Sequence, residues 1–196
     1  RDDWTVGGKT WPAGSLLATS LEAFLKGGRD FTSLFTPSSR SALVGTAALK
    51  SALVVVSQED VTNHGTVWTR AGTAWKQAPF EAGRGLRSFM PSPVKPAGES
   101  DELWLEAADF TQPAALSVLR LGQKKAEVLK QLPAYFDVKG LEVTQHFATS
   151  RDGTRVPYFQ VMRKDRALDG TAPTLLYGYG GFEVTLEAEY KPLVGA

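Results

Sequence analysis

The sequence predicts a mainly β fold that contains part of a β-propeller, about two to three blades, and three observations support this prediction. Short runs of Val, Leu, Thr and aromatic residues alternate with turns rich in Gly, Pro, Asp and Ser. No long amphipathic helix is predicted before residue 140. Two segments also resemble each other at a spacing of about fifty residues, and propeller blades repeat at roughly 40–50 residues.

The first predicted elements are a tight hairpin and a short helix. Trp4-Thr5-Val6 and Lys9-Thr10-Trp11 flank Gly7-Gly8, which supplies the positive φ that two-residue hairpin turns require. Residues 21–26 then predict one short helix, which ends before Gly27-Gly28.

The repeat consists of two segments with one plan. "SALVVVSQED…TVWTRAGTAWK" and "DELWLEAADF…LSVLRLGQKKAE" each predict a strand, a loop, a second strand that ends in Arg-x-Gly, and another strand. An ordinary β-sandwich with a chance similarity is the alternative. The matched positions are Leu53 with Leu103, Val55 with Leu105, Arg70 with Arg120, and Gly72 with Gly122.

Segment 90–100, "MPSPVKPAGES", is predicted to be a loop because it is too rich in proline for a central strand. The fifty-residue register runs across it, so we expect the loop to lie within a blade. The register stops after Leu132-Pro133. We therefore predict a domain boundary at about 135–142, with a propeller part at 1–140 and a second domain at 141–196.

The second domain is predicted to begin with three strands. Residues 143–149 and 156–163 flank an Asp-Gly turn, which is a strong hairpin signal. A polar connection with a second Asp-Gly turn follows at 163–173. Residues 174–177 predict a third strand, whose apolar middle favours burial on both faces.

Composition limits the classes of function. Across 196 residues, 22 Lys and Arg balance 21 Asp and Glu, which gives a net charge of +1. We expect neither a nucleic-acid partner nor a membrane partner, because no basic block stands out and the longest aliphatic run, 52–56, cannot span a bilayer. We expect a soluble protein, and the compartment stays open between cytoplasm and periplasm. The chain starts Arg1-Asp2-Asp3-Trp4, and we expect both ends to be cuts through a longer protein.

Complete catalytic machinery is missing from the sequence. The nucleophile-elbow pattern G-x-S-x-G does not occur, and cysteine is absent. We predict His64 to be a solvated loop residue and His146 to be a structural residue of a strand. No metal site and no cofactor is predicted, because neither the histidine spacing nor Gly178-x-Gly180-Gly181 matches a metal or phosphate motif. The carboxylates at 99–102 and at 187–189 are predicted to be solvated.

The candidate binding element is Gly178-Tyr179-Gly180-Gly181-Phe182, which directly follows the predicted third strand. We call it the aromatic–glycine segment. Glycine lets a backbone turn sharply or lets another group come close. A Tyr held there can direct its hydroxyl to developing negative charge, and a Phe can form the wall of a small apolar pocket. An aromatic–glycine turn packed only for structure is the alternative.

Residues 150–190, "SRDGTRVPYFQVMRKDRALDGTAPTLLYGYGGFEVTLEAEY", resemble the start of the catalytic domain in the prolyl oligopeptidase family of serine peptidases. The likeness includes the S-R-D-G-T hairpin, Val156-Pro157, Leu168-Asp169-Gly170 and the block from Leu175 to Phe182. It implies that a β-propeller precedes the first strands of an α/β-hydrolase domain, with looser similarity over 1–140.

The resemblance also implies roles for individual residues. Tyr179 matches the tyrosine that donates to the oxyanion, and Phe182 matches an aromatic that lines the proline-accepting pocket. Gly178, Gly180 and Gly181 would hold the turn that directs both rings. The family's Ser, Asp and His come later in the chain than these residues. The parent would cleave short peptides after proline through an acyl-enzyme, and the 196-residue chain would be inactive.

Two other functions stay open. The chain could belong to a propeller that binds partners without catalysis, or to a related oligopeptidase that cleaves after basic residues. A G-x-S-x-G-G elbow beyond residue 196, followed by Asp and His, would separate a peptidase from a binding module. We also expect open sheet edges to let the 196-residue chain self-associate.

Overall fold

A computed structural model of the protein describes residues 2–85, 87–182 and 184–195. Its regular elements are mainly strands that pair with their neighbours in the chain. In chain order they are β1 (Trp4–Val6), β2 (Lys9–Trp11), β3 (Leu16–Ala18), α1 (Leu21–Leu25), β4 (Thr32–Phe35), β5 (Ser41–Ala48), β6 (Ala52–Glu59), β7 (Thr62–Ala71), β8 (Ala74–Pro79), a 3-10 helix (Glu81–Gly83), β9 (Ser88–Pro93), β10 (Glu102–Asp109), β11 (Gln112–Arg120), β12 (Glu127–Gln131), β13 (Leu141–Thr149), β14 (Arg155–Arg163) and α2 (Pro192–Gly195).

The hairpin and the short helix near the start of the chain are confirmed. β1 pairs with β2 in antiparallel register, and Gly7 and Gly8 have φ values of 58° and 75°. Two positive φ values in a two-residue loop match the right-handed twist of the paired strands. Ser20 caps α1, since its side chain accepts a hydrogen bond from the Ala23 N–H.

The fifty-residue repeat corresponds to two successive four-stranded antiparallel sheets. The first sheet has the order β5-β6-β7-β8, and the second has the order β12-β11-β10-β9. β6 and β10 begin fifty residues apart, at Ala52 and Glu102. β7 and β11 begin at the same spacing, at Thr62 and Gln112. The repeat in the sequence therefore marks the two middle strands of each sheet.

One apolar core joins the two four-stranded sheets. Leu103 of β10 and Val54 of β6 are fully buried, and both belong to a single cluster. Two glycines let aromatic rings approach the backbone, because a Cβ at Gly65 would lie 2.7 Å from Phe80 Cβ, and one at Gly83 would lie 2.6 Å from Phe89 Cζ. The buried cluster consists of Ala47, Leu49, Val54, Val56, Phe80, Phe89, Leu103, Leu105 and Leu119.

The prediction of a loop at 90–100 is wrong for its first part. Residues 90–93 belong to β9, and Pro91 lies opposite Leu105 in the ladder with β10. β9 is an edge strand of its sheet, and an edge strand accommodates proline because one side needs no backbone N–H donor. The remaining residues, 94–100, lie in the connection between β9 and β10 within one sheet, as predicted.

The predicted Asp-Gly hairpin is confirmed as β13 and β14, which pair from Leu141↔Arg163 to Thr149↔Arg155. Gly153 in the connecting turn has a φ of 86°. The Thr154 N–H donates to the Asp152 carboxylate at 3.0 Å, and this hydrogen bond lowers the pKa of Asp152 below its ordinary value. An Asx turn of this kind fixes the hairpin connection.

The hairpin β13–β14 contacts the ends of both four-stranded sheets. Arg87, just before β9, forms a 2.6 Å ion pair with Asp109 at the end of β10 and donates to the Val143 carbonyl at 3.1 Å. Phe110 packs on Phe159 of β14 with ring centroids 5.1 Å apart. These contacts fix the hairpin on the side of the sheets where β10 turns into β11.

The turn between β6 and β7 provides another contact with this hairpin. The Gln145 side chain donates to the Asp60 carbonyl, and Arg40 holds the Asp60 carboxylate through hydrogen bonds. The hydrogen bond from Arg40 lowers the pKa of Asp60. Val61 follows with a φ of 66°, which is rare for a β-branched residue. The turn therefore keeps a strained backbone that surrounding side chains hold in place.

The predicted third strand at 174–177 is wrong. These residues belong to no ladder, and Leu175, Leu176 and Tyr177 are 70%, 93% and 62% exposed. An apolar run forms a strand only where another strand offers it free backbone groups, and none of the described strands lies beside this run. No regular strand is found at 184–190 either, within the described residues of that stretch.

Candidate functional site

The aromatic–glycine segment lies in an extended stretch between β14 and α2. Both of its rings lie outside the core, with Tyr179 53% exposed and Phe182 94% exposed. Among the described residues, the Tyr179 hydroxyl has no hydrogen-bond partner, so it is available as a donor. The segment can therefore present one phenol donor and one apolar ring to a ligand.

Tyr179 folds back over Gly181. A Cβ at residue 181 would lie 3.1 Å from Tyr179 Oη and 3.3 Å from its Cζ, so the ring rests where a side chain would be. The turn closes with a hydrogen bond of 3.2 Å from the Val184 N–H to the Gly181 carbonyl. Glycine at 181 thus provides space for the ring that carries the candidate donor.

The positive φ of the aromatic–glycine segment falls on Phe182 and not on one of its glycines. Gly178, Gly180 and Gly181 are absent from the positive-φ positions, whereas Phe182 has a φ of 56°. A Cβ added at Gly178 or Gly180 would meet nothing within 4 Å. In this structure the glycines therefore leave open space beside Tyr179, and the left-handed backbone conformation falls on Phe182.

The chain after the segment is anchored by aromatic packing. Tyr190 is 7% exposed, stacks on Phe136 at a centroid distance of 4.7 Å, and accepts a 2.7 Å hydrogen bond from the Tyr135 N–H. Lys191 lies 4.2 Å from the Tyr177 ring centroid, a cation–π contact with the residue just before the segment. These contacts fix both sides of the aromatic–glycine segment.

Glu187 is exposed to solvent, as predicted, but its carboxylate also forms two long-range hydrogen bonds. Its two oxygens accept hydrogen bonds from Gln58 Nε2 at 3.2 Å and from Ser88 Oγ at 2.9 Å. No short-range pattern predicts these bonds, because the partners lie 129 and 99 residues away in the sequence. Glu189 is also exposed, and its carboxylate faces only Lys191, at 3.6 Å.

The two histidines lie apart from the aromatic–glycine segment in the hydrogen-bond network. His146 Nε2 is 2.8 Å from Thr144 Oγ1, and its ring lies 5.5 Å from Tyr158, which fits the predicted structural role on a strand. His64 is exposed, as predicted, but it lies in β7 and not in a loop. Within the described ranges, no cluster of three or more His, Asp or Glu could hold a metal ion.

Over the described part of the chain, no helix combines the length and the apolar character needed to cross a bilayer.

Comparison with known proteins identifies the relatives of this chain. No family model matches the sequence. An uncharacterized peptidase of Sinorhizobium fredii is 33% identical over 198 residues, which cover 100% of this chain and 27% of the relative. A prolyl endopeptidase of Elizabethkingia miricola is 30% identical over 90 residues, which cover 46% of this chain and 13% of the relative.

A solved structure of a post-proline cleaving enzyme from Rickettsia typhi superimposes with a TM-score of 0.73 and 24% identity. The match covers 98% of this chain and 28% of that one, and it establishes the fold. These relatives and solved structures support the placement of the chain in the prolyl oligopeptidase family. Its mainly β architecture with open sheets matches the propeller region of prolyl oligopeptidases. The chain spans about a quarter of the length of the Sinorhizobium relative.

Proposed function

We propose that this chain is a segment of a serine-type oligopeptidase that cleaves short peptides after proline through an acyl-enzyme. The observation that carries the proposal is the exposed, unpartnered Tyr179 hydroxyl beside an open glycine surface. A serine elsewhere in the full-length protein would attack the substrate carbonyl carbon. The Tyr179 hydroxyl would then donate to the carbonyl oxygen as that oxygen gains negative charge.

We propose further that Phe182 lines the pocket for the proline ring, with Gly178, Gly180 and Gly181 leaving room for the substrate backbone. The Phe182 ring is 94% exposed, so an apolar ligand would remove most of its surface from water. We assign residues 1–140 to the end of the propeller and 141–196 to the start of the α/β-hydrolase domain. The connection between β12 and β13 supports a boundary there, because residues 132–140 form no strand or helix.

The direct test compares the full-length protein with the purified 196-residue chain on two chromogenic peptides, one with proline and one with arginine before the scissile bond. We expect the full-length protein to release the chromophore after proline. We expect the 196-residue chain to hydrolyse neither peptide, since it contains no G-x-S-x-G elbow. Turnover by the highly purified chain would contradict its inactivity, and preference for arginine would favour the basic-specific alternative.

Gly181→Ala tests whether space beside Tyr179 matters for turnover. The added Cβ would push on the Tyr179 ring at 3.1–3.3 Å, so we expect kcat of the full-length enzyme to fall about tenfold. The matched control is the same change in a Tyr179→Ala background, where no ring remains to be displaced. A further loss in that background would show that Gly181 acts independently of Tyr179.

The second candidate function is binding without catalysis. The exposed strand at the edge of the second sheet supports it. β12 is an edge strand with every residue exposed, including Val128 and Leu129. Unpaired edges of this kind recruit strands of other chains. We propose that the 196-residue chain self-associates through such edges, and we expect its sedimentation coefficient to rise with concentration. A monodisperse monomer at all concentrations would contradict this proposal.

A further inference from the structure

Glu187 joins the chain that follows the aromatic–glycine segment to both four-stranded sheets. It lies five residues after Phe182. One oxygen of its carboxylate accepts from Gln58 Nε2 of β6 at 3.2 Å, and the other accepts from Ser88 Oγ of β9 at 2.9 Å. β6 belongs to the first sheet and β9 to the second. A single side chain thus bridges two sheets and the candidate site.

The partners of Glu187 are themselves held by a buried amide. Asn63 is only 4% exposed. Its Oδ1 accepts a hydrogen bond from Gln58 Nε2 at 3.2 Å, and its Nδ2 donates to the Phe89 carbonyl at 3.1 Å. Its backbone N–H donates to the Arg87 carbonyl at 2.9 Å. The exposed Glu187 therefore contacts a network that is tied to the core through the buried hydrogen bond from Asn63 to the Phe89 carbonyl.

The chain between β14 and Glu187 offers no comparable support for the segment. Its described residues belong to no ladder or helix, and Phe182 and Val184 are exposed at 94% and 52%. After Phe182, Glu187 is the first described residue whose side chain is hydrogen-bonded to the sheets. Glu187 therefore ties the chain after the segment to the two four-stranded sheets, while Tyr190 anchors the same chain on Phe136.

We propose that Glu187 is a positioning residue that holds the aromatic–glycine segment in register with the two sheets, so that Tyr179 meets the substrate carbonyl. This inference rests on the oxyanion role proposed for Tyr179. Because the carboxylate contacts both sheets, a change in their relative arrangement would reach Tyr179 through residues 183–187.

The test compares three single variants of the full-length enzyme, two at position 187 and one at position 189. Glu187→Leu removes both hydrogen bonds at similar volume. Glu187→Gln keeps them, because an amide can accept from Gln58 and donate to the Ser88 hydroxyl. Glu189→Leu is the matched control two residues away, where the carboxylate faces only Lys191.

We expect Glu187→Leu to lower kcat about tenfold with KM nearly unchanged, since an oxyanion contact acts in the transition state. Glu187→Gln should restore most of the loss, and Glu189→Leu should stay within about twofold of the parent enzyme. In a Tyr179→Phe background, Glu187→Leu should not lower kcat any further. The inference would be overturned if Glu187→Leu left kcat unchanged. It would also be overturned if Glu187→Leu lowered kcat about tenfold in the Tyr179→Phe background.

Amide hydrogen exchange separates this inference from the proposed function. We expect the backbone of residues 178–186 to exchange faster in Glu187→Leu than in Glu189→Leu, whether or not Tyr179 contributes to turnover. Equal exchange in the two variants would refute the anchoring role itself. If exchange rises while Tyr179→Phe leaves kcat unchanged, Glu187 anchors the segment but the catalytic part of the inference falls with the oxyanion role.

Discussion

Tyr179→Phe is expected to lower kcat of the full-length enzyme by roughly 10²–10³, the cost of losing one donor to an oxyanion. The substitution removes a single hydroxyl and keeps the ring that rests on Gly181. Since the hydroxyl has no partner among the described residues, its loss should leave folding stability nearly unchanged. Steady-state kinetics on a post-proline peptide, with a thermal melt of the same preparation, provides the measurement.

Tyr177→Phe is the matched control for this prediction. Tyr177 lies two residues earlier, is 62% exposed, and contacts Lys191 through its ring. Losing its hydroxyl should therefore leave kcat within about twofold, because the cation–π contact needs only the ring. Equal losses in the two variants would assign the effect to the local fold, and an unchanged kcat in Tyr179→Phe would remove Tyr179 from the site.

Leu103→Ala is expected to produce the largest loss of stability, about 2–5 kcal/mol in the free energy of unfolding. Leu103 is 0% exposed and lies in the core that joins the two four-stranded sheets. Its truncation leaves a cavity in this core cluster, beside its ladder partners Pro93 of β9 and Leu119 of β11. Urea unfolding of the 196-residue chain, followed by far-UV circular dichroism, measures this difference.

Leu168→Ala makes the same chemical change at a position that is 83% exposed. We expect it to alter the free energy of unfolding by no more than about 0.5 kcal/mol. If both variants lost the same stability, the core shared by the two sheets would not be the main source of stability in this chain.

Much of the fold could be predicted because its signals are local. Gly7-Gly8 and Asp152-Gly153 specify their turns by chemistry that acts over four residues, and both hairpins are confirmed. Leu53 and Leu103 occupy equivalent positions in β6 and β10. Each sheet needs an apolar middle strand, so the same apolar pattern recurs in the sequence.

The wrong predictions concern features that depend on distant partners. Residues 174–177 have the composition of a strand, but a strand also requires a neighbour, which the described chain does not provide. Pro91 belongs to a strand because β9 lies at a sheet edge, and a sequence does not state sheet order. The two hydrogen bonds of the exposed Glu187 could not be predicted, because its partners, Gln58 and Ser88, are distant in the sequence.

The candidate site was predicted through family likeness more than through physics. The aromatic–glycine pattern indicated backbone freedom at its glycines, whereas the positive φ falls on Phe182. The space that Gly181 leaves for Tyr179 could not be derived from the sequence, because it depends on the rotamer of the Tyr179 ring.

A crystal structure of the full-length enzyme with a peptide aldehyde bound covalently to its nucleophile would test the central claim most directly. Such an adduct places an oxygen where the oxyanion develops. We predict that the Tyr179 hydroxyl lies about 2.7–3.1 Å from that oxygen and that the Phe182 ring contacts the proline of the inhibitor. A Tyr179 hydroxyl that points away from the adduct, with another group in its place, would contradict the account.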